Sequence, residues 1–486
     1  MNSETKIFSI KNFVYNILKY SISSWTNFAI SILSTIITTR IFAPEIYGKV
    51  NLFNTTSSLL MGIITLGLDS SYMRFYHDPP KGLTHKHLFA ISISLPIIFL
   101  ILIFALISIY GRYASFFLFG IESQSLLYLL GINCFSLLIL NFFSLAYRMS
   151  NNAKLYTIQS VLVQLITKTL IIVAVFYNPS FEVIIFISTI GIFVLTVVLV
   201  ILHGKSFLPK NLSINFRILL SYFRYAFFSW PVVILIFSNS FVTQMIISKL
   251  LGAQKLGIFA STGFFISALL VIQSGFKTYW APYMYKNYEE HQSSIINFHD
   301  YIMIITILIF VSILILQNQL YSIIGFDYRE SRLFFSLVIL SPLLGLIQET
   351  TSYGITIAKK NQYILSIFTL STLVNVALSL ILVKEFELVG IGFALVISEL
   401  VKVVLSTVIG QIYYKSLKSL SKTLLSILML VVIAILNVIL IENYTGLLFV
   451  LITYLIFTYT LYRIQIHNTF LFLIPLIKNR LHGVRI

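Results

Sequence analysis

Charged residues are scarce in this sequence: of its 486 residues, only 10% are Asp, Glu, Lys or Arg, whereas 58% are hydrophobic. A soluble globular domain carries about 25% charged residues, so this composition excludes an ordinary water-exposed surface. The connections between apolar runs are also short, and none is long enough to fold as a soluble domain. The chain therefore belongs to the class of membrane proteins.

Cysteine is nearly absent as well, and this absence limits the chemistry of the chain. The single cysteine, Cys134, excludes an intrachain disulfide and a cysteine-based metal cluster. The eight histidines lie in or beside polar connections, as His77, His85, His87 and His291 do, and do not pair on one helix face. We therefore predict interfacial or solvated histidines, no metal site and no cofactor.

Long apolar runs are what the chain has in abundance. A hydrocarbon core about 30 Å thick needs roughly 20 apolar residues per helix, and runs of that length follow one another almost end to end. A β-barrel would instead alternate polar and apolar residues over segments of about ten. The sequence predicts an all-α integral membrane protein of about fourteen transmembrane helices. The predicted spans lie near 13–39, 46–72, 88–111, 124–147, 155–177, 181–202, 218–248, 256–282, 299–318, 331–357, 362–383, 387–413, 423–441 and 444–463.

The net charge of +17 is distributed unevenly between the two sides of these spans. With both termini in the cytoplasm, 20 of the 33 Lys and Arg residues fall in cytoplasmic segments, 8 on the opposite face and 5 within spans. Positive charge concentrates in cytoplasmic loops of membrane proteins. The bias predicts an even number of spans with both ends inside, and the first apolar run is too long for a signal-peptide core.

An internal repeat is visible in the connections between spans. One match joins 38–53 (TTRIFAPEIYGKVNLF) with 247–262 (ISKLLGAQKLGIFAST), and another joins 148–156 (RMSNNAKLY) with 356–363 (TIAKKNQY). The first match aligns Gly48 with Gly257 at a shift of 209 positions, and the second has a shift of 207. Such a shift equals six spans, which predicts a parallel repeat about an axis along the membrane normal.

The repeat divides the chain into three parts. We predict two pseudo-symmetric six-helix bundles around a central cleft, over residues 1–205 and 206–416. Residues 417–486 then hold two additional transmembrane helices and a cytoplasmic tail. Two bundles facing a shared site are typical of a transporter rather than of a channel built from a ring of subunits.

Polar residues recur at helical spacing in the first two spans of each half. In span 2, for example, Asn54, Gly62 and Asp69 lie on one helix face. Polar residues within spans are costly unless they face other helices or a water-filled cavity, so these stripes indicate a cleft. The candidate substrate-binding residues are Lys19, Asn27, Arg40, Asn54, Asp69, Arg74, Lys168, Arg224, Asn239, Gln273 and Lys277.

Two interpretations of these residues stay open. Ser, Thr and Asn side chains within spans also serve as packing contacts between helices. The cations near span ends, Lys19, Arg40, Arg74 and Arg224, could extend to the headgroups. The deeper cations Lys168, Lys277 and Lys402 could form internal ion pairs, as the spacing of Glu399 and Lys402 allows. The functional alternative is a cationic cleft for an anionic headgroup such as phosphate or diphosphate.

Coupling and movement are assigned to a smaller set of residues. Asp69, Glu349, Glu399 and Lys402 are candidates for coupling transport to H⁺ or Na⁺. Pro231 and Pro342 interrupt the hydrogen-bond ladder of their helices, which predicts either hinges or static kinks.

Four segments resemble the polysaccharide-exporter branch of the multidrug/oligosaccharidyl-lipid/polysaccharide superfamily, the Wzx-type O-antigen translocases. They are RIFAPEIYGKVNLF (40–53), GLDSSYMRFY (67–76), YFRYAFFSWPVV (222–233) and GFKTYWAPYMYKNY (275–288). The resemblance implies a flippase of the bacterial inner membrane, not an enzyme, that moves undecaprenyl-diphosphate-linked repeat units of lipopolysaccharide, capsule or exopolysaccharide. It also implies a V-shaped cleft lined by spans 1, 2, 7 and 8. The implied partners are the lipid-linked oligosaccharide, membrane lipids and the polymerase and chain-length regulator of the same pathway, without nucleic acid.

Two alternatives are weighed against a flippase. A drug/cation antiporter of the same superfamily would need buried carboxylates, whereas cations outnumber acids within these spans. A membrane-embedded polysaccharide polymerase or glycosyltransferase would carry a sizeable outer loop with catalytic Asp, Arg or His residues. The predicted outer loops are short and contain no histidine, which disfavours an enzyme.

Overall fold

The computed structural model describes residues 23–77, 79–80, 83–209 and 216–467, and these residues form helices without any β-strand. The first helix, α1, covers residues 23–41 of the described chain. In chain order there follow α2 (Pro44–Ile64), α3 (Leu68–Phe75), α4 (His85–Ile109), α5 (Gly111–Phe119), α6 (Gln124–Met149), α7 (Ala153–Tyr177), α8 (Phe181–Phe207), α9 (Phe216–Leu250), α10 (Gly252–Ser261), α11 (Gly263–Asn287), α12 (Gln292–Ile315), α13 (Gln317–Ile323), a 3₁₀ helix (Phe326–Phe334), α14 (Phe335–Thr351), α15 (Tyr353–Ile357), α16 (Gln362–Tyr413), α17 (Leu420–Ile439) and α18 (Tyr444–Leu461).

The number of membrane crossings agrees with the apolar runs of the sequence. Eleven helices of the described chain are long and apolar enough to span a bilayer, or twelve if the bent pair α2–α3 is one span. The 52 residues of α16 are broken by the non-helical backbone of Glu387 (φ 47°, ψ −127°), and two crossings need about 40 residues. The 19 residues of α1 supply the described part of the first predicted span. The prediction of an all-α integral membrane protein with about fourteen transmembrane helices is confirmed.

The second span is a broken helix. Pro44 opens α2 at a position where its missing N–H costs no hydrogen bond. The helix stops at Ile64, and α3 leaves at an angle of 57°. The bend is made by Leu66 (φ 53°) and Gly67 (φ 68°), both in the left-handed region that glycine adopts most readily.

The described chain forms two compact units. Unit 1 holds the described parts of Met1–Ser267 together with Ile324–Arg329, and unit 2 holds those of Ala268–Ile323 and Glu330–Ile486. In unit 1, α2 packs against α6, α9 and α10, and in unit 2, α14 packs against α12, α16 and α17. The division at 205/206 and 416/417, which follows the sequence repeat, stays a prediction.

The repeat recurs in the geometry of two turns. The turn after α6 contains Asn151 with φ 56°, and the turn after α15 contains Lys359 with φ 58°. In each turn the amide of the next residue donates to the carbonyl five positions earlier, at 2.8 and 2.9 Å. This is the left-handed closure by which many helices end. The two turns lie 208 positions apart, so the sequence match at 148–156 and 356–363 reflects the same local structure.

Candidate functional site

The predicted site residues fall in both units, and each unit is described by itself. Lys19 lies outside the described residues. Unit 1 contains the predicted residues of α1, α2, α3, α7 and α9, and unit 2 contains those of α11, α14 and α16.

A polar seam joins α1 to α7 within unit 1. The amide of Asn27 donates to the Ser160 hydroxyl over 2.6 Å, and the amide of Gln164 donates to the Ser31 hydroxyl over 2.7 Å. The bond from the side-chain nitrogen of Asn27 agrees with the packing interpretation. The side-chain oxygen of Asn27, Oδ1, is also buried but has no hydrogen-bond partner among the described residues.

Lys168 extends this seam by one turn of α7 beyond Gln164. Its side chain is partly buried, and none of the ion pairs of the described chain includes it. A cation that is partly removed from water without a carboxylate partner is costly, and it attracts an anionic ligand. Lys168 therefore keeps its predicted role as a candidate for phosphate binding.

The equivalent glycines of the repeat meet at the crossing of α2 and α10. A methyl group added to Gly257 would overlap the carbonyl oxygen of Pro44, and one added to Gly48 would overlap that of Ala253. Pro44 and Ala253 are themselves 209 positions apart, as Gly48 and Gly257 are. The contact is thus reciprocal, and only glycine lets the two backbones approach this closely. The sequence shows the repeated glycines but does not show that they touch.

The broken second span is held by a tryptophan of α9. The indole N–H of Trp230 donates to the carbonyl oxygens of Gly62 and Ile63 at 3.0 and 3.1 Å, at the end of α2, where regular helical hydrogen bonding stops. On the far side of the bend, the Oδ1 atom of Asp69 is buried and has no hydrogen-bond partner among the described residues. Arg74 at the end of α3 is exposed and lies over the ring of Phe75 at 5.8 Å.

A cavity lies beside this bend. Its volume is about 390 Å³, and its lining residues are Leu66, Phe223, Arg224, Phe227 and Trp230. Arg224 is thereby placed in an aromatic environment and forms no ion pair with a described carboxylate. The sequence singled out Arg224 but not its aromatic neighbours.

The remaining predicted residues of unit 1 differ in exposure. Arg40 and Asn54 are exposed, and Asn239 is partly buried in α9 with contacts of its own. Pro231 lies inside the continuous helix α9, as Pro342 does inside α14 of unit 2. The hinge role of both prolines stays a prediction.

Two of the predicted residues in unit 2 are cations paired with carboxylates. Lys277 Nζ lies 3.1 Å from Glu349 Oε1 between α11 and α14, and Lys402 Nζ lies 2.7 Å from Glu399 Oε2 within α16. Gln273, one turn before Lys277, packs against Gly345 of α14. For Lys402 the structure therefore agrees with the internal ion-pair interpretation, whereas the side chain of Lys277 is paired but 63% exposed.

The Glu399–Lys402 pair gives a direct stability prediction. Lys402→Met leaves the Glu399 carboxylate, whose side chain is 11% exposed, without its partner, at a cost of about 1–3 kcal/mol. Thermal unfolding of the purified protein in detergent should show a lower midpoint for this variant than for the double variant Glu399→Gln/Lys402→Met. Equal midpoints for the two variants would show that the pair is too solvated to matter.

A buried polar cluster in unit 2 was missed by sequence reasoning. Its members are His299 and Asp300 of α12, Thr350 of α14, Lys422 and Thr423 of α17, and Gln465 after α18. Asp300 Oδ2 lies 3.3 Å from Lys422 Nζ and accepts a hydrogen bond from Gln465. The prediction of interfacial or solvated histidines is wrong for His299, which is 1% exposed between the hydroxyls of Thr350 and Thr423. The adjacent Asp300 in a largely apolar segment was the available signal.

Within the described part of the chain, no group of three or more His, Cys, Asp and Glu residues is placed to hold a metal ion. The side chains of the described site are amides, hydroxyls, ammonium and guanidinium groups, aromatic rings and the carboxylates of Asp69, Glu349 and Glu399. Ammonium and guanidinium groups can bind the anionic part of a ligand.

Comparison with known folds identifies the architecture. The structure is similar to that of the lipid II flippase MurJ in an inward closed conformation, with a TM-score of 0.69 over 92% of this chain and 99% of that chain at 13% identity. It is also similar to a multidrug resistance MATE family transporter of the MOP superfamily. The inward-facing form gives a TM-score of 0.55 over 80% of this chain and 94% of that one at 15% identity. The outward-facing form gives 0.54 over 82% and 94% at 18% identity.

Sequence comparison identifies the family. No curated protein matches the chain in a search by sequence. A family profile described as polysaccharide biosynthesis protein, however, matches residues 13–263, which is more than half of the 486 residues. The chain is therefore a member of the polysaccharide biosynthesis protein family and has the fold of the MOP superfamily transporters.

Proposed function

We propose that this protein is a flippase for lipid-linked oligosaccharides. Its cargo would be an undecaprenyl-diphosphate-linked repeat unit of O-antigen or another surface polysaccharide, moved across the bacterial inner membrane with both termini in the cytoplasm. The observation that carries the proposal is the combination of the polysaccharide biosynthesis family with the fold of a lipid II flippase.

The distribution of charge in unit 1 supports an anionic cargo. Lys168 and Arg224 form no ion pair with a described carboxylate, and both lie on helices that also present polar or aromatic groups. A diphosphate brings negative charge that these cations can neutralise, and an arginine can contact it through two N–H groups. Outward opening is then a population shift driven by binding of the diphosphate.

We assign the α2–α10 crossing to the state of an alternating-access cycle in which the periplasmic face is closed. With both termini inside, the connection that carries Gly48 lies on the periplasmic face, so the two glycines close that face. Release of the oligosaccharide requires α2 and α10 to separate. The contact is made between backbones, which do not deform gradually. The crossing therefore has two states, formed and broken.

We assign coupling to H⁺ or Na⁺ to Asp69 in preference to the two glutamates. Glu349 and Glu399 are already neutralised by Lys277 and Lys402. Asp69 has a buried, unpartnered oxygen and follows a broken helix, which is where transporters commonly bind coupling ions. Asp69→Asn should abolish any dependence of transport on the ion gradient, measured in proteoliposomes with and without that gradient.

A drug/cation antiporter is the second candidate, and the similarity to MATE transporters favours it. That activity needs a carboxylate available to an organic cation. In the described chain, the intramembrane carboxylates Glu349 and Glu399 are paired with lysines, which leaves Asp69 as its best candidate. Export of ethidium by a strain that expresses the protein, lost in Asp69→Asn, would support the antiporter.

Lys168 provides the first test of the cationic site. Lys168→Ala is expected to slow flipping of the lipid-linked oligosaccharide by about ten- to hundredfold, because a charge-assisted contact is worth about 1.5–3 kcal/mol. Lys168→Arg keeps the charge and should retain most of the activity. The assay measures the fraction of oligosaccharide that becomes accessible to an external lectin in proteoliposomes. Wild-type rates in Lys168→Ala would remove this residue from the site.

A further inference from the structure

The cavity at the bend of the second span combines one guanidinium with an apolar wall. Phe223, Phe227 and Trp230 are spaced by four and three residues and therefore line one face of α9. Arg224 stands beside them, exposed, and Leu66 closes the cavity from the bend. Such a site suits a ligand that carries a charged group next to a hydrocarbon chain, and it suits neither a free sugar nor a hydrophilic ion.

The bend beside this wall lies in the first half of the repeat. Gly67, which turns the chain away from α2, packs so closely on α9 that an added methyl group would lie 2.6 Å from the carbonyl oxygen of Ala226. Its counterpart at a shift of 208 positions, Gly275, lies inside the continuous helix α11. The bend is therefore not a consequence of the duplicated fold. The bend departs from the repeat and places two residues in the left-handed backbone region. Unusual backbone of this kind clusters at functional sites, so the bend indicates a specific role.

The depth of the cavity follows from the length of α9. The helix has 35 residues and is about 52 Å long, whereas the hydrocarbon core is about 30 Å thick and is crossed by roughly 20 residues. Counted back from Lys249 at its far end, roughly 20 residues reach Trp230. Trp230 then lies at the edge of the hydrocarbon, where tryptophan is enriched, and Arg224 lies at the level of the lipid phosphates.

We propose that this cavity is the site where the phosphate end of an isoprenoid lipid docks before translocation. Arg224 contacts the phosphate, and Phe223, Phe227 and Trp230 contact the first isoprene units. The volume of about 390 Å³ is within the range of small-ligand pockets, roughly 300–1,000 Å³, and admits this end of the lipid but not its whole tail. The inference rests on the proposed flippase function, since it names the part of the cargo that is recognised first.

Farnesyl diphosphate is a suitable probe, because it carries a diphosphate on a short isoprenoid chain. Binding to the full-length protein in detergent is measured by equilibrium dialysis, with inorganic diphosphate and farnesol as the two half-ligands. We expect wild type to bind farnesyl diphosphate more tightly than either half-ligand. Arg224→Gln should weaken that binding about ten- to hundredfold, as expected for loss of a charge-assisted contact.

Two further variants separate the parts of the site. Phe227→Ala removes an apolar side chain from the wall of the cavity, so it should weaken binding of farnesyl diphosphate but not of inorganic diphosphate. Arg148→Gln is the matched control, because Arg148 is an exposed arginine at the end of α6, outside the cavity and on the same predicted face. Its binding should equal that of wild type.

Several results would overturn the inference. One is unchanged binding of farnesyl diphosphate to Arg224→Gln. Another is equal affinity of the wild-type protein for farnesyl diphosphate and inorganic diphosphate, which would indicate a site for free anions. Competition by phosphatidylglycerol as strong as by undecaprenyl phosphate would indicate a site for bulk lipid. Failure of the flippase proposal is distinguishable, because wild-type protein would then bind farnesyl diphosphate through Arg224 and yet move no lipid-linked oligosaccharide in proteoliposomes.

Discussion

Replacing Gly257 with leucine is expected to prevent the α2–α10 crossing from forming. The leucine side chain would have to occupy the space of the Pro44 backbone, and overpacking of this kind costs about 1–3 kcal/mol or more. The closed population should therefore fall by about 5- to 150-fold, and transport should fall with it because the cycle needs that state. Cysteine pairs can also be introduced across the crossing in the Cys134→Ser protein, with glycine or leucine at position 257. They should cross-link when residue 257 is glycine and should not when it is leucine.

Gly263→Leu is the matched control for this prediction. Gly263 begins α11, six residues after Gly257, and a methyl group added there meets no atom within 4 Å. This variant should cross-link and transport as wild type does. Wild-type transport in Gly257→Leu would mean that the crossing is a static packing contact and not a gate.

Breaking the Asp300–Lys422 pair is expected to have the largest effect on stability. Asp300 is 4% exposed, so Lys422→Met leaves a buried carboxylate without its cation, at a cost of about 3–5 kcal/mol. The loss should appear as a lower midpoint of thermal unfolding in detergent. It should also appear as faster proteolysis around α17, because the pair joins α17 to α12.

The double variant Asp300→Leu/Lys422→Met should recover most of this loss, since replacing a whole buried pair by apolar groups is often neutral. Lys49→Met serves as a control, because its partner Glu45 is 58% exposed and such surface pairs contribute about 0–1 kcal/mol. A Lys422→Met variant as stable as Lys49→Met would show that the cluster does not hold α17 in place.

The sequence predicted the spans well because each one depends on a local property. An apolar run of sufficient length must cross the membrane, whatever its neighbours are. The repeated turns at Asn151 and Lys359 could be recognised for the same reason, since a left-handed helix end is encoded within a few residues. The pairing of Glu399 with Lys402 was also foreseeable from their spacing on one helix.

Features that depend on tertiary contacts were not predictable. Lys277 and Glu349 are 72 positions apart, and nothing in either segment indicates that α11 and α14 bring them together. The bend at Leu66 and Gly67 contains no proline, and Trp230 of another helix donates to the carbonyls that precede it. His299 was placed near the surface because polar residues precede it in the sequence, whereas its buried partners, Thr350 and Thr423, lie on other helices.

Transport of lipid-linked repeat units by the purified protein is the most direct test of the proposed function. The protein is reconstituted into vesicles that contain undecaprenyl-diphosphate-linked oligosaccharide extracted from the host's membranes, and exposure of the sugar to an external lectin is followed over time. We predict exposure beyond the initially accessible half in wild type, little in Gly257→Leu, and wild-type rates in Gly263→Leu. No exposure above that of protein-free vesicles in wild type would contradict the flippase function.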